Sequence, residues 1–275
     1  MLGSSFVDFF VGMDGFNLHA FTHTELDITN TQKLREKLVE IGPDLVINCT
    51  AYTAVDDAEK NRDLAFKINA ESVGEMAKLC KEIGAALIHF STDYVFDGKN
   101  SEGYKEDDAT GAINVYGESK LAGEKLIMEN MKKYFIVRTS WLFGKNGKNF
   151  VDTMIKLGAA AMQSGTELKV VQDQIGSPTY THDLVNAVIM NFIEPLQRGK
   201  DVPFGIYHLT NSGVCSWYDF AKRIFEIRKM EVNILPINTD QFPRPARRPA
   251  FSILLNTKLS KMRPWGEAVE DYLSE

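Results

Sequence analysis

Tyr116 and Lys120 are the pair in this sequence best suited to chemistry. They stand four residues apart in Asn114-Val115-Tyr116-Gly117-Glu118-Ser119-Lys120. On a helix, that spacing puts both side chains on one face, one turn apart. A free phenol titrates near ~10, too high to exchange a proton easily at neutral pH. A neighbouring ammonium favours the phenolate and turns tyrosine into a usable general acid/base. Tyrosine and lysine also meet this way on solvated helix faces, so the pair alone does not define a site. Ahead of it, the apolar run Ala85-Ala86-Leu87-Ile88-His89-Phe90 reads as a buried strand and ends directly in Ser91-Thr92-Asp93. Hydroxyls at the carboxyl end of a parallel strand sit where open α/β sheets bind their ligands. A plain turn at a strand end would use the same residues.

The elements that must position these groups alternate. Asn17–Phe21 is a predicted strand and Thr31–Ile41 a predicted helix, begun by Asp27-Ile28-Thr29-Asn30. Asp44–Cys49 reads as a second buried strand, followed by a helix from about Asp63 to Ile83. The strand Ala85–Phe90, the Tyr-Lys helix and the strand Phe135–Thr139 continue the series. Alternation of this kind implies right-handed βαβ crossovers and a mainly parallel sheet. The expected fold class is therefore α/β, a doubly wound, Rossmann-like sheet over residues 1–145. Residues 146–275 are expected to form mainly a smaller, C-terminal substrate-binding lobe, with some segments returning to the first sheet. Helical periodicity marks Asn149–Ala161 and Trp217–Arg228 there. Pro243-Arg244-Pro245-Ala246-Arg247-Arg248-Pro249 cannot be a helix or a central strand. Its three arginines could clasp a diphosphate bidentately or simply line a solvated loop.

Composition bounds the function class. With 275 residues, 44% hydrophobic and 25% charged, the chain is an ordinary globular protein with room for a substantial core. A net charge of −6 argues against a nucleic-acid partner that depends on phosphate neutralisation. Cys49, Cys80 and Cys215 are odd in number and lack metal-ligand spacing, which points to a reducing cytoplasm and to no metal site. The apolar start Phe6–Val11 is too short for a membrane span and lacks a signal peptide's basic flank.

A dinucleotide fold needs a first strand leading into a glycine-rich turn that holds the pyrophosphate. This sequence opens Met1-Leu2-Gly3-Ser4-Ser5 and passes straight into a helix-like run. Gly3 stands where the last glycine of such a fingerprint would. The expectation is that the first strand and part of the turn are lacking, through a start placed too late or a real truncation. The sequence leaves both open.

Taken together, the strand ending in Ser91-Thr92 and the Tyr-x-x-x-Lys helix resemble the extended branch of the short-chain dehydrogenase/reductases. Within it the chain is most similar to the dTDP-4-dehydrorhamnose reductases. The motifs that carry the resemblance are Leu26-Asp27-Ile28-Thr29, Asn48–Asp56, Ser91–Gly98 and Tyr116–Glu124. They continue with Arg138-Thr139-Ser140-Trp141, Asp173–Thr179 and Pro245–Pro249. The resemblance implies reduction of the C4 keto group of a dTDP-linked 4-keto sugar by NADPH or NADH. It implies Thr92, Tyr116 and Lys120 as catalytic groups. Tyr116 would donate a proton, Thr92 would polarise the carbonyl, and Lys120 would lower the tyrosine pKa and hold the nicotinamide ribose. Gly3, Asp27, Ile28, Ala51, Tyr52 and Thr53 would line the cofactor together with Tyr116 and Lys120. Thr92, Asp93, Trp141 and Arg247 would face the sugar nucleotide.

Each of these has a plainer role beside it: Asp27 as a helix cap, Tyr52 and Trp141 as packing aromatics. The region Phe21-Thr22-His23-Thr24 offers no obvious acid for a ribose 2′-hydroxyl, which leans towards NADPH, although no arginine stands ready for a 2′-phosphate. The same fold serves the non-catalytic, cofactor-binding β subunit of methionine adenosyltransferase, and reductases or epimerases of other nucleotide sugars. Thr92, Tyr116 and Lys120 favour chemistry over the subunit reading. No nucleic acid and no membrane is expected as partner, and a homodimer is left open as the assembly.

Overall fold

The computed structural model describes residues 1–274. In chain order its first half contains α1 (Leu2–Phe10), α2 (Thr31–Ile41), β1 (Leu45–Asn48), α3 (Val55–Ala58), α4 (Arg62–Phe66), α5 (Ser72–Ile83), β2 (Ala86–Thr92), α6 (Val115–Asn130) and β3 (Tyr134–Thr139). There follow β4 (Leu142–Phe143), α7 (Phe150–Ser164), β5 (Leu168–Val171), β6 (Ile175–Gly176), β7 (Thr179–Tyr180), α8 (Thr181–Val188) and α9 (Glu194–Gln197). The chain ends with β8 (Gly205–His208), β9 (Cys215–Ser216), α10 (Trp217–Ile227), β10 (Ile234–Ile237) and α11 (Trp265–Ser274).

The main sheet runs β1-β2-β3-β8, and every pair in it is parallel. Period-two alternation sends each strand's side chains to opposite faces. Ile88, Phe90, Phe135 and Val137 meet Leu2, Phe6 and Phe10 of α1 and Leu184, Val185 and Val188 of α8. Leu87 and Ile136 meet Leu34 and Leu38 of α2, Val73 to Cys80 of α5 and Ile127 of α6. Helices on both faces of a parallel sheet make a Rossmann-like α/β fold. β8 comes from far along the chain and closes the far edge of this sheet, against β3. A third core gathers α7, α10 and α11 around Phe143, Tyr180, Phe220 and Ile224.

Local signals set the helix ends. Asn30 accepts from Lys33 N to cap α2, which stops at Gly42 with φ 58°. Asn114 accepts from Gly117 N and starts α6. Ser216 and Asp219 form a reciprocal capping box on α10. The single helix expected over Asp63–Ile83 is α4 and α5 joined by a π-turn at Lys67–Glu71. Asn17–Phe21 is not a strand: the segment is irregular and every residue in it is exposed. A strand needs a ladder partner for its amides and carbonyls. Among the described residues β1 is the sheet's outermost strand on that side, and nothing offers Asn17–Phe21 a ladder.

α6 lies very close to its surroundings. A Cβ on Gly123 would come within 2.1 Å of Asn69 O in the π-turn, and one on Gly117 within 2.1 Å of Tyr94 O. Helix propensity alone would make Gly123→Ala stabilising by about 1 kcal/mol. The collision with backbone reverses the sign, because neither element can yield without opening the core. We expect Gly123→Ala to cost about 1–3 kcal/mol, read as a lower midpoint in urea. A raised midpoint would refute the packing argument.

Candidate functional site

α6 carries an unusual inner stripe. Tyr116, Lys120 and Glu124 recur every four residues, and the two charged members are fully buried, at 1% and 0% exposure. A polar stripe of this kind must be met by polar partners on the sheet. Glu124 accepts from two guanidinium nitrogens of Arg138 on β3, Nε and Nη2, at 2.9 and 2.7 Å. Lys120 Nζ donates to Phe90 O at 2.7 Å and lies 3.1 Å from His89 Nε2, both on β2. His89 Nδ1 in turn lies 3.1 Å from Asn48 Nδ2 at the end of β1.

The phenol of Tyr116 is half-buried, in edge contact with Tyr94 at 5.8 Å between ring centroids. Burial pushes its pKa up to about 12, and the Thr92 hydroxyl pulls it partly back. This departs from the expected pairing, in which an ammonium lowers the phenol. Lys120 has turned onto the sheet instead, and burial brings its own pKa down to about 8. Thr92 Oγ1 donates to Asp93 Oδ1 at 2.8 Å and accepts from Tyr94 N at 3.2 Å. Burial raises Asp93 to about 6, against the opposing bonds from Ser252 and Thr92.

Around the carboxyl ends of the strands, several polar atoms await a partner. Ser91 Oγ, Asp93 Oδ2 and Thr139 Oγ1 are buried with no hydrogen bond, and Thr139 stands opposite Thr92 in the sheet register. A polar ligand at the strand ends would satisfy them. The first turn of α1 lies nearby, Gly3 being within 3.6 Å of Cys49 Cβ when given a Cβ of its own. Its leading amides have no intrahelical acceptor and suit a phosphate. The loop after β1 carries Ala51, Tyr52 and Thr53. Asn69 holds that loop by accepting from Tyr52 N at 2.8 Å and donating to Tyr52 O at 3.1 Å. Asn69 also donates to Ser119 Oγ at 2.9 Å, so the loop is fastened to α6 between Tyr116 and Lys120. These features fit a dinucleotide.

Other expected residues have different surroundings. Asp27 accepts from Thr29 N at 2.9 Å in a turn that leads into α2, and the Ile28 side chain is buried in the core under α2 and α5. Only the Ile28 backbone remains for a ligand. Of the three arginines in Pro243–Pro249, Arg248 pairs with Asp56 at 2.9 Å and Arg244 with the same carboxylate at 3.6 Å. Arg247 is exposed, and its carbonyl accepts from Asn114 Nδ2 at 2.8 Å, beside the start of α6. Trp141 takes a left-handed backbone, φ 49°, and stacks on Trp217 with centroids 3.5 Å apart. A Cβ on Gly176 would meet Trp141 at 2.6 Å and Ser252 Oγ at 2.7 Å, so only glycine fits beside the tryptophan pair.

Thr92, Asp93, Tyr116 and Lys120 thus gather at one end of the sheet, and Trp141, just after β3, stacks on Trp217. Asn48, Asn69, His89 and Trp217 were not singled out from sequence. The signal for the first three was present: a polar residue interrupting an apolar strand or helix must be satisfied inside. Trp217 had no such signal, because its partner lies 76 positions earlier in the chain.

Comparison with known proteins agrees with this geometry. The family model described as RmlD substrate binding domain matches residues 1–275. A spore coat polysaccharide biosynthesis protein of Bacillus subtilis is 42% identical over 95% of this chain and 89% of its own. A dTDP-4-dehydrorhamnose reductase structure from Clostridium acetobutylicum superposes with a TM-score of 0.92 at 40% identity, covering 99% of this chain and 95% of that one. The Bacillus anthracis dTDP-4-dehydrorhamnose reductase in complex with NADP gives 0.90 at 42% identity over the same shares. A family match over the whole length, on a fold and a site of this kind, shows that the chain belongs to the RmlD substrate-binding domain family.

Proposed function

We propose that the chain is an NAD(P)H-dependent oxidoreductase, a dTDP-4-dehydrorhamnose reductase that converts dTDP-4-dehydro-L-rhamnose to dTDP-L-rhamnose for cell-surface polysaccharide. The observation that carries this reading is the gathering of Thr92, Tyr116 and Lys120 at the carboxyl end of β2, in a chain about 40% identical to such reductases over nearly its full length. A bound nicotinamide cofactor supplies the hydride. Tyr116 gives its phenolic proton to the carbonyl oxygen as that oxygen becomes a hydroxyl. Its high pKa keeps the proton in place until an alkoxide-like charge develops. Thr92 hydrogen-bonds the same oxygen by turning its hydroxyl hydrogen from Asp93 Oδ1 to the carbonyl, while Tyr94 N holds the hydroxyl oxygen in place. Lys120 is assigned the ribose hydroxyls of the cofactor.

We assign residues 1–145 mainly to the cofactor and 146–275 mainly to the sugar nucleotide. Gly3, Asp27 through the carboxylate oxygen not bonded to Thr29 N, the Ile28 backbone and the Ala51-Tyr52-Thr53 loop are the further cofactor contacts in this reading. Trp141, Asp93 and Arg247 are the sugar-nucleotide contacts, Arg247 being the arginine whose side chain is left free for a diphosphate. The three cysteines are free, and no helix among the described residues is long and apolar enough to cross a membrane. Both facts support a cytoplasmic setting.

Tyr116→Phe removes only the hydroxyl. It should lower kcat on the order of 10²-fold or more while leaving the melting temperature close to that of the unaltered protein. Near-normal turnover of the dTDP-4-keto sugar with NADPH would remove Tyr116 from its role. Arg247→Ala deletes a charged donor for the diphosphate. We expect KM for the sugar nucleotide to rise about 10-fold or more with kcat little changed, the signature of lost uniform binding. Equal loss with a substrate lacking the diphosphate would place Arg247 elsewhere.

A further inference from the structure

The row that runs from the Thr50 backbone through the buried side chains of Asn48, His89 and Lys120 has only one consistent direction of hydrogen bonding. A backbone N–H can only donate, and Thr50 N lies 3.0 Å from Asn48 Oδ1. The Asn48 amide is therefore oriented with its nitrogen towards His89 Nδ1, at 3.1 Å. An amide nitrogen also only donates, so Nδ1 of the imidazole must accept. A neutral imidazole that accepts at Nδ1 carries its proton on Nε2. That N–H faces Lys120 Nζ at 3.1 Å, and a donor needs a lone pair opposite. An ammonium has none, whereas a neutral amine does, and the amine still has hydrogens to donate to Phe90 O at 2.7 Å. The opposite arrangement, with an ammonium donating to Nε2, would put the Nδ1 hydrogen against the Asn48 amide hydrogens. All three side chains are buried, at 4%, 0% and 1% exposure, so water does not resolve such a clash.

We propose that His89, held in its Nε2–H tautomer by Asn48, is a positioning residue that favours the uncharged amine of Lys120 on the sheet in the cofactor-free protein, so that this lysine loses its proton more readily than the others. The inference rests on the reductase reading for its purpose. Carbonyl reduction starts from a protonated phenol, and a lysine one helical turn away that readily loses its own proton draws the phenolic proton off less than a permanent ammonium would. The surroundings agree. Burial holds the imidazole well below its ordinary pKa, so His89 stays neutral. Burial lowers Lys120 to about 8. Its remaining titratable neighbours are Tyr116 and Glu124 on α6, and Glu124 is already bound by Arg138 of β3.

The test uses the full chain without cofactor or substrate. Lysine 13Cε and histidine 15N resonances are followed against pH, with Lys120→Met and His89→Gln used to assign the two signals. The expected result is a Lys120 signal titrating near 8, with the other lysines near ~10.4, and a His89 ring whose Nδ1 is unprotonated. Asn48→Asp then replaces the donating amide nitrogen by an accepting oxygen of the same shape. It should move the proton to Nδ1, free Nε2 to accept, and raise the Lys120 titration by about one unit or more. If that variant does not fold, the wild-type spectra alone decide. A Lys120 signal that titrates with the other lysines, or a His89 proton on Nδ1, overturns the proposal. Because neither readout involves turnover, failure of the reductase reading would appear separately, as absent activity beside intact spectra.

Discussion

The rest of the structure depends on how a helix with buried charges is laid on a parallel sheet. α6 cannot be held there by apolar area, since the stripe it turns inward contains Tyr116, Lys120 and Glu124. A lone charge buried in this way costs several kcal/mol, and loss of one partner from a buried pair typically costs about 3–5 kcal/mol. The two charged positions meet this constraint differently. Glu124 is neutralised by a bidentate arginine, Arg138, which is itself 2% exposed. Lys120 has no carboxylate in contact, and its polar partners are a carbonyl and an imidazole. One position is thus a fixed ion pair and the other is free to change its protonation state. Catalytic groups are built on the second kind of position.

Close approach makes these bonds achievable. Gly117 lets the first turn of α6 touch Tyr94 O, and Gly123 lets its middle touch the π-turn at Asn69. The π-turn brings Asn69 to where one amide can serve Tyr52 and Ser119 together. The loop after β1, the start of α6 and the end of β2 therefore form one hydrogen-bonded unit. Side chains on such a unit lose little freedom when a substrate arrives, which favours a well-defined reacting geometry.

Much of this was legible in sequence. The buried strands at Leu45–Asn48 and Ala86–Thr92 announce themselves as apolar runs, and Asn114 before Val115 marks the start of α6. The Tyr-x-x-x-Lys spacing and the hydroxyls after Phe90 located the end of the sheet that carries the site. What sequence could not supply was partnership at long range. Asn17–Phe21 has strand-like residues, but a strand exists only where another strand offers a ladder. Lys120 was expected beside the phenol because helix spacing says so. It faces His89 because burial leaves an amine seeking the nearest satisfied polar partner. The Trp141–Trp217 stack depends on a left-handed residue and on Gly176, neither of which periodicity reveals.

The two halves of the candidate site differ in how their charges are held, and that difference suits the tasks proposed for them. At the sheet, Lys120, His89, Glu124 and Arg138 are all 2% exposed or less, so their bonds are strong and little screened by salt. At Pro243–Pro249 the arginines are exposed or half-buried around Asp56. The prolines fix that segment's backbone, while Asn114 and Ile175 tie its C-terminal end to α6 and β6 through Arg247 O and Ala250 O. Its guanidinium groups can therefore exchange Asp56 for another anion at small cost, since partly exposed ion pairs are worth only about 0–1 kcal/mol. A proton-transfer centre needs the first kind of environment, because its energetics must not change with each ligand. Recognition of a diphosphate, as proposed for Arg247, suits the second, because that side chain is free and its neighbours Arg244 and Arg248 can release Asp56 for another oxyanion.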